Sequence, residues 1–205
     1  MYSYLAIGDS LTTGVGSTNG GFVLPYRKLA AEKLEQTIYI QQLARSGLTC
    51  EQIVRLASKH RRRIFQADIM TITAGGNNFI DALKYMQRTG SIEHLPDTAS
   101  NVYQCLHRLI HLIDETKKTS NKPYIIRIFT LYNPLLEDPE LNQLLTTFNR
   151  SLYTFERNRH VRIVDVSSIF DRRDAGSLSR DGVHPNNHGY EQMAIAAYRT
   201  GFNPL

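Results

Sequence analysis

Short apolar runs alternate along this chain with longer amphipathic stretches, and that alternation limits it to a parallel sheet wrapped by helices. Tyr4–Ile7, Ile38–Leu43, Ile69–Thr73, Tyr124–Phe129 and Val161–Val166 read as strands. Tyr26–Leu34, Glu51–Ala57, Val102–Ile113 and Leu141–Phe155 carry apolar residues at three-and-four spacing and read as helices. Asp138-Pro139 supplies an N-cap and a first-turn proline for the fourth of these. A last helix is expected after Pro185, with Met193, Ala194 and Ala197 turned inward. The segment Tyr85–Asp97, polar and holding Gly90 and Pro96, is expected to be a mobile excursion. The 205 residues suit one α/β domain, a three-layer sandwich on a five-stranded parallel sheet, with no repeat or linker dividing it.

With 41% hydrophobic and 21% charged residues, the composition is that of a globular protein. The net charge of +5 and the run Lys59-His60-Arg61-Arg62-Arg63 raise nucleic acid as a partner. No aromatic interleaving or recognition motif accompanies the charge, so no nucleic-acid partner is expected. The run is assigned to the end of a helix beginning near Thr49, where cations suit the helix dipole. Attraction to an anionic lipid surface stays open. Cys50 and Cys105 are too few and too widely spaced for a disulfide framework, and no structural role is assigned to them. No signal peptide or apolar run of membrane-spanning length is seen, so a soluble, cytoplasmic protein is expected.

In a parallel sheet, ligand sites gather where strands end. Gly8-Asp9-Ser10 ends the first strand, Ser46-Gly47 follows the second, Gly75-Gly76-Asn77-Asn78 the third, and Asp181-Gly182-Val183-His184 the fifth. A serine hydroxyl needs a base to take its proton, and a histidine serves best when a carboxylate fixes its tautomer. Ser10, His184 and Asp181 supply those parts as nucleophile, base and orienting acid. The backbone N–H groups of Ser10 and Gly47 and the side-chain amide of Asn77 are candidate oxyanion donors. Asp9 is assigned to holding its loop by hydrogen bonds. His184 and His188, four apart beside Asp181, admit a metal reading, but Pro185 breaks any helix through His184 and no third ligand stands out, so no metal or cofactor is expected. His188 is taken as a helix-start or surface residue. His107 and His111 are read as structural or solvated. Phe79, Ile80, Leu131, Tyr132, Leu135 and Leu136 are candidates for an acyl pocket or for plain core packing.

The four blocks, in this order and spacing, resemble those of the SGNH or GDSL hydrolases: Gly8-Asp9-Ser10-Leu11, Ser46-Gly47, Gly75-Gly76-Asn77 and Asp181-Gly182-Val183-His184-Pro185. The resemblance implies a flavodoxin-like sheet, a metal-free Ser-His-Asp triad, and lipase, esterase, thioesterase or lysophospholipase activity. Within the family the chain is most similar to GDSL lipases of endospore-forming bacteria associated with spore germination, which implies a place in a spore layer. Asn78 stands where the family often has aspartate, and Gln42 where asparagine often precedes the glycine block. Thr12 separates the motif from the Gly-x-Ser-x-Gly elbow of the α/β-hydrolases. The expected reaction is carboxyl-ester hydrolysis, with lipid esters favoured; thioesters and acetylated sugars are the alternatives on the same triad. A noncatalytic binding module is the reading from another class.

Overall fold

The computed structural model describes residues 1–91, 94–134, 139–170 and 176–205. Five strands, β1 (Tyr2–Gly8), β2 (Ile38–Ala44), β3 (Ile69–Ile72), β4 (Ile125–Phe129) and β5 (Val161–Val164), form one sheet. The order is β2-β1-β3-β4-β5 and every pairing is parallel. This is the flavodoxin-like order, whose reversal falls between β1 and β3. β1 is buried on both faces because its side chains alternate between two cores. Leu5 and Ile7 point to one, and Tyr4 and Ala6 to the other.

The first core is closed by α3 (Cys50–Lys59), α4 (Arg61–Gln66), α5 (Gly76–Thr89), α6 (His94–Lys117) and α7 (Pro139–Leu152). The second lies under α2 (Val23–Leu34), α8 (Ser167–Phe170) and α9 (Asn187–Arg199), where Met193, Ala194 and Ala197 are fully buried. A short helix, α1 (Ser10–Thr13), follows β1 directly. The α/β/α sandwich of the sequence reading is therefore present, with all five strands within two residues of their expected ends.

Four expectations change. Tyr85–Asp97 is mainly helical: α5 runs to Thr89 and α6 starts at His94, with 92–93 outside the described residues. Gly90 is the left-handed residue that ends α5, and Pro96 sits in the first turn of α6, where proline is tolerated. The basic run does not close one helix; His60 ends α3 and Arg61–Arg63 open α4. The helix expected over Leu141–Phe155 ends at Leu152 and passes into a 3₁₀ turn over Tyr153–Arg157. The proposed cap Asp138 lies outside the described residues.

The fourth change concerns Cys50 and Cys105, which form a disulfide between α3 and α6. Both helices pack on the same sheet face, which brings the two Cα atoms to 6.1 Å, within the span a disulfide bridges. A separation of 55 residues gives no sign of that contact in the sequence. Thiol titration of the denatured, unreduced protein should find no free cysteine. Replacing both residues by alanine should lower unfolding free energy by about 4 kcal/mol in urea, the loop-closure value for this separation; two free thiols in the native preparation would refute the pairing.

Candidate active site

The chain leaves β1 through Asp9, the N-cap of α1, whose carboxylate accepts the N–H of Leu11 at 3.1 Å and the Thr73 hydroxyl at 2.8 Å. Thr73 also accepts from the Asp9 N–H at 3.3 Å and lies 2.9 Å from the Thr12 hydroxyl. Asp9 thus makes the loop-holding bonds expected of it. Burial pushes its carboxyl above the usual range, and the bonds from Thr73 and Leu11 oppose that push. Ser10, the first residue of α1, is left half-buried with its hydroxyl facing His184.

The segment before α9 is a tight turn built around Asp181. Its Oδ1 accepts the N–H groups of Val183 and His184, both at 2.9 Å, and the Ser179 hydroxyl at 2.8 Å. Its Oδ2 lies 2.7 Å from His184 Nδ1, and His184 Nε2 lies 3.0 Å from Ser10 Oγ. Partial burial acts to raise the Asp181 carboxyl, but these donors outweigh it and hold the group well below the ordinary carboxylate range. An ionised Asp181 fixes the proton on Nδ1, which leaves Nε2 as the acceptor facing the serine hydroxyl.

This turn is fastened from several sides. The Ser179 N–H donates to the His184 carbonyl at 2.8 Å, and the Tyr132 hydroxyl to the Val183 carbonyl at 2.7 Å. Gly16 passes so close that a Cβ there would lie 2.9 Å from His184 Cβ and 2.7 Å from the Pro185 carbonyl. Ser179 has no place in the sequence reading, and a lone serine two residues before an aspartate carries no signal beyond turn chemistry. Tyr132, a candidate for the acyl pocket or for plain core packing, also tethers the histidine turn.

Asn77 enters from the first turn of α5 and donates to the Leu48 carbonyl at 2.9 Å. An amide has two N–H hydrogens, so one is left over from the bond to Leu48, and Asn77 borders the same cavity as Ser10. The neighbouring Asn78 accepts the Cys50 N–H at 2.9 Å and donates to Glu51 at 3.0 Å. Together they grip the loop on which Gly47 sits. Gly47 is exposed at φ +80° with open space around it, so its glycine answers to the left-handed backbone and not to crowding. Gln42 is exposed on the edge strand β2, and its carbonyl accepts from Arg63.

Ser10, His184 and Asn77 border one cavity of about 260 Å³. Its walls are apolar: Phe79, Ile80 and Leu83 from α5, Leu131 and Tyr132 after β4, and Leu141 and Leu145 from α7. Leu135 and Leu136 lie outside the described residues. Of the two site histidines only His184 faces the cavity; His188 is exposed at the start of α9. His107 and His111 lie exposed on α6. Among the described residues, no three His, Cys, Asp or Glu side chains group as a metal site, and no helix is long and apolar enough to cross a membrane.

Known proteins share this sequence pattern and fold. The spore germination lipase LipC of Bacillus licheniformis is 29% identical over 98% of this chain and 97% of its own length. The crystal structure of the lipase Lip_vut3 from goat rumen metagenome superposes with a TM-score of 0.95 at 28% identity, covering 100% of this chain and 99% of that one. Axe2, an acetylxylan esterase from Geobacillus stearothermophilus, shares the fold at a TM-score of 0.69 and 19% identity, over 97% and 93% of the two chains. The model of the GDSL-like Lipase/Acylhydrolase family matches residues 6–192, and the chain belongs to that family of carboxylic-ester hydrolases.

Proposed function

We propose that the chain is a single catalytic domain that hydrolyses esters of fatty acids through an acyl-serine intermediate on Ser10. The observation that carries this reading is the apolar cavity opening onto the Ser10–His184 hydrogen bond. An acyl chain laid against Phe79, Leu83 and Leu145 gains roughly 0.8 kcal/mol per buried methylene. An acetyl group has no methylenes to place there, so deacetylation of sugars, the activity in Axe2's name, is the weaker reading.

Ser10 Oγ attacks the ester carbon while His184 Nε2 takes its proton, and Asp181 stabilises the imidazolium that results. The developing oxyanion accepts hydrogen bonds from the N–H groups of Ser10 and Gly47 and from the Asn77 amide. Collapse breaks the bond to the alcohol, which leaves with the proton from His184. Water then attacks the acyl-serine as His184 takes its proton, and the fatty acid departs as His184 returns that proton to Ser10 Oγ. The setting we propose is spore germination, in or beside a spore layer, and it rests on the similarity to LipC.

Ser10→Ala should lower kcat for p-nitrophenyl esters by about four to six orders of magnitude, with the fold intact by circular dichroism. Undiminished turnover would refute the assignment. A fluorophosphonate should label the wild type and leave the variant unlabelled.

Because Asp181 stays ionised far into acid, a single protonation should govern the acid limb of kcat/KM, with a limiting slope of one. A slope of two would show that the carboxylate titrates in the same range as the base.

Leu83→Trp should fill the cavity. We expect kcat/KM for p-nitrophenyl octanoate to fall at least about tenfold while the acetate ester is untouched, and equal losses on both would remove the cavity from the acyl site.

A further inference from the structure

A second cleft, of about 580 Å³, lies at the amino ends of β4 and β5, the opposite end of the strands from the carboxyl ends beside which Ser10 sits. It is bounded by the end of α6, the loop into β4, the residues leading into β5, and Asn203 and Pro204 near the C-terminus. Its charge is one-sided. Lys117, Lys118, Lys122, Arg159 and Arg162 line it, against one acid, Asp114. That acid is occupied: Tyr124 donates to one oxygen at 2.8 Å and Asn158 to the other at 2.7 Å.

A solvated face explains only part of this cluster. Lys118 is paired with Glu115 at 3.7 Å, and both Lys117 and Lys118 suit the negative end of the α6 dipole. Lys122, Arg159 and Arg162 have neither excuse. Among the described residues, no carboxylate lies within ion-pair distance of any of the three. Arg162 donates to the carbonyl of Val161, and Arg159 Nε donates to His160 Nε2 at 3.2 Å. His160 Nδ1 lies 2.9 Å from the Tyr124 carbonyl, an acceptor only, so Nδ1 donates there. The ring stacks on Tyr124 at 3.9 Å and serves as a fixed post beside Arg159. Lys117 is buried, with its ammonium donating to the carbonyls of Phe65 and Ala67.

We propose that this cleft is a binding site for a phosphate-bearing anion, distinct from the ester site. Cations approach from three directions, the helix end, the loop and the start of β5, with the Ser120 hydroxyl and the Asn121 amide as neutral donors between them. A tetrahedral phosphoryl group presents oxygens in several directions at once, whereas a lone carboxylate presents two in a plane. The sheet separates the cleft from the catalytic rim, so a bound anion leaves the ester site open. A phospholipid surface held here would face the amino ends of the strands, away from Ser10, so the site serves retention at an anionic matrix or control by a soluble phosphate, and not presentation of the scissile ester.

The test is isothermal titration with inorganic pyrophosphate, and co-sedimentation with phosphatidylglycerol vesicles against phosphatidylcholine ones, using wild type and Lys122→Glu/Arg159→Glu. The expected result is binding that weakens with salt and falls at least about tenfold in the double variant. Hydrolysis of p-nitrophenyl butyrate in solution should stay unchanged, which separates this site from the ester site. Pyrophosphate binding alone identifies a soluble ligand, and phosphatidylglycerol binding alone a headgroup. Absence of both, or equal binding by the variant, overturns the proposal.

Discussion

The hydrogen bond from the Thr73 hydroxyl to the Asp9 carboxylate, 2.8 Å long and fully buried, joins the exit of β1 to the exit of β3. Ser10 leaves from one of these strands and Asn77 from just beyond the other, so this bond sets their separation. A buried carboxylate is costly unless it is well bonded. Thr73 answers with its one donor, and its two lone pairs face the Asp9 N–H and the Thr12 hydroxyl, which leaves the hydroxyl saturated. The turn that carries Ser10 is thereby fixed by the buried Asp9 and Thr73.

Two aspartates near the serine meet opposite environments and are driven in opposite directions. Asp9 is buried, and desolvation raises its carboxyl. Asp181 is nearly half exposed and surrounded by donors, and its carboxyl falls. Environment has separated a scaffold carboxylate from one that stays charged beside an imidazole. The donors on Asp181 include two backbone N–H groups of its own turn, so the Asp-x-x-His spacing is itself the device that keeps the acid ionised.

The strands, the sheet and the four polar blocks were legible in the sequence because apolar alternation and strand ends are local patterns. α5 was not: Gly75-Gly76-Asn77-Asn78 has the composition of a turn, and its glycine cap at φ +105° hides a helix start. The Cys50–Cys105 pair was hidden for a different reason, since it depends on α3 and α6 sharing a face. The tethering role of Tyr132 is likewise a product of chain crossing, whereas Ser179 acts within its own turn, where a lone serine carries no signal beyond turn chemistry. Asn78, a departure from the family pattern, bonds the start of α3 instead of entering the cavity wall.

The two halves of the serine–histidine pair stand 174 residues apart. They are drawn together by α9: Tyr190 donates to the Val15 carbonyl at 2.7 Å, and Asn187 accepts from the Ser17 hydroxyl and the Thr18 N–H. The serine turn and the histidine turn are therefore held together only when α9 docks on the Val15–Thr18 loop. Contacts of such long sequence separation form late. The Ser10–His184 contact is consequently a product of tertiary docking, and a chain whose α9 is unpacked from that loop lacks the bonds that bring the two turns together.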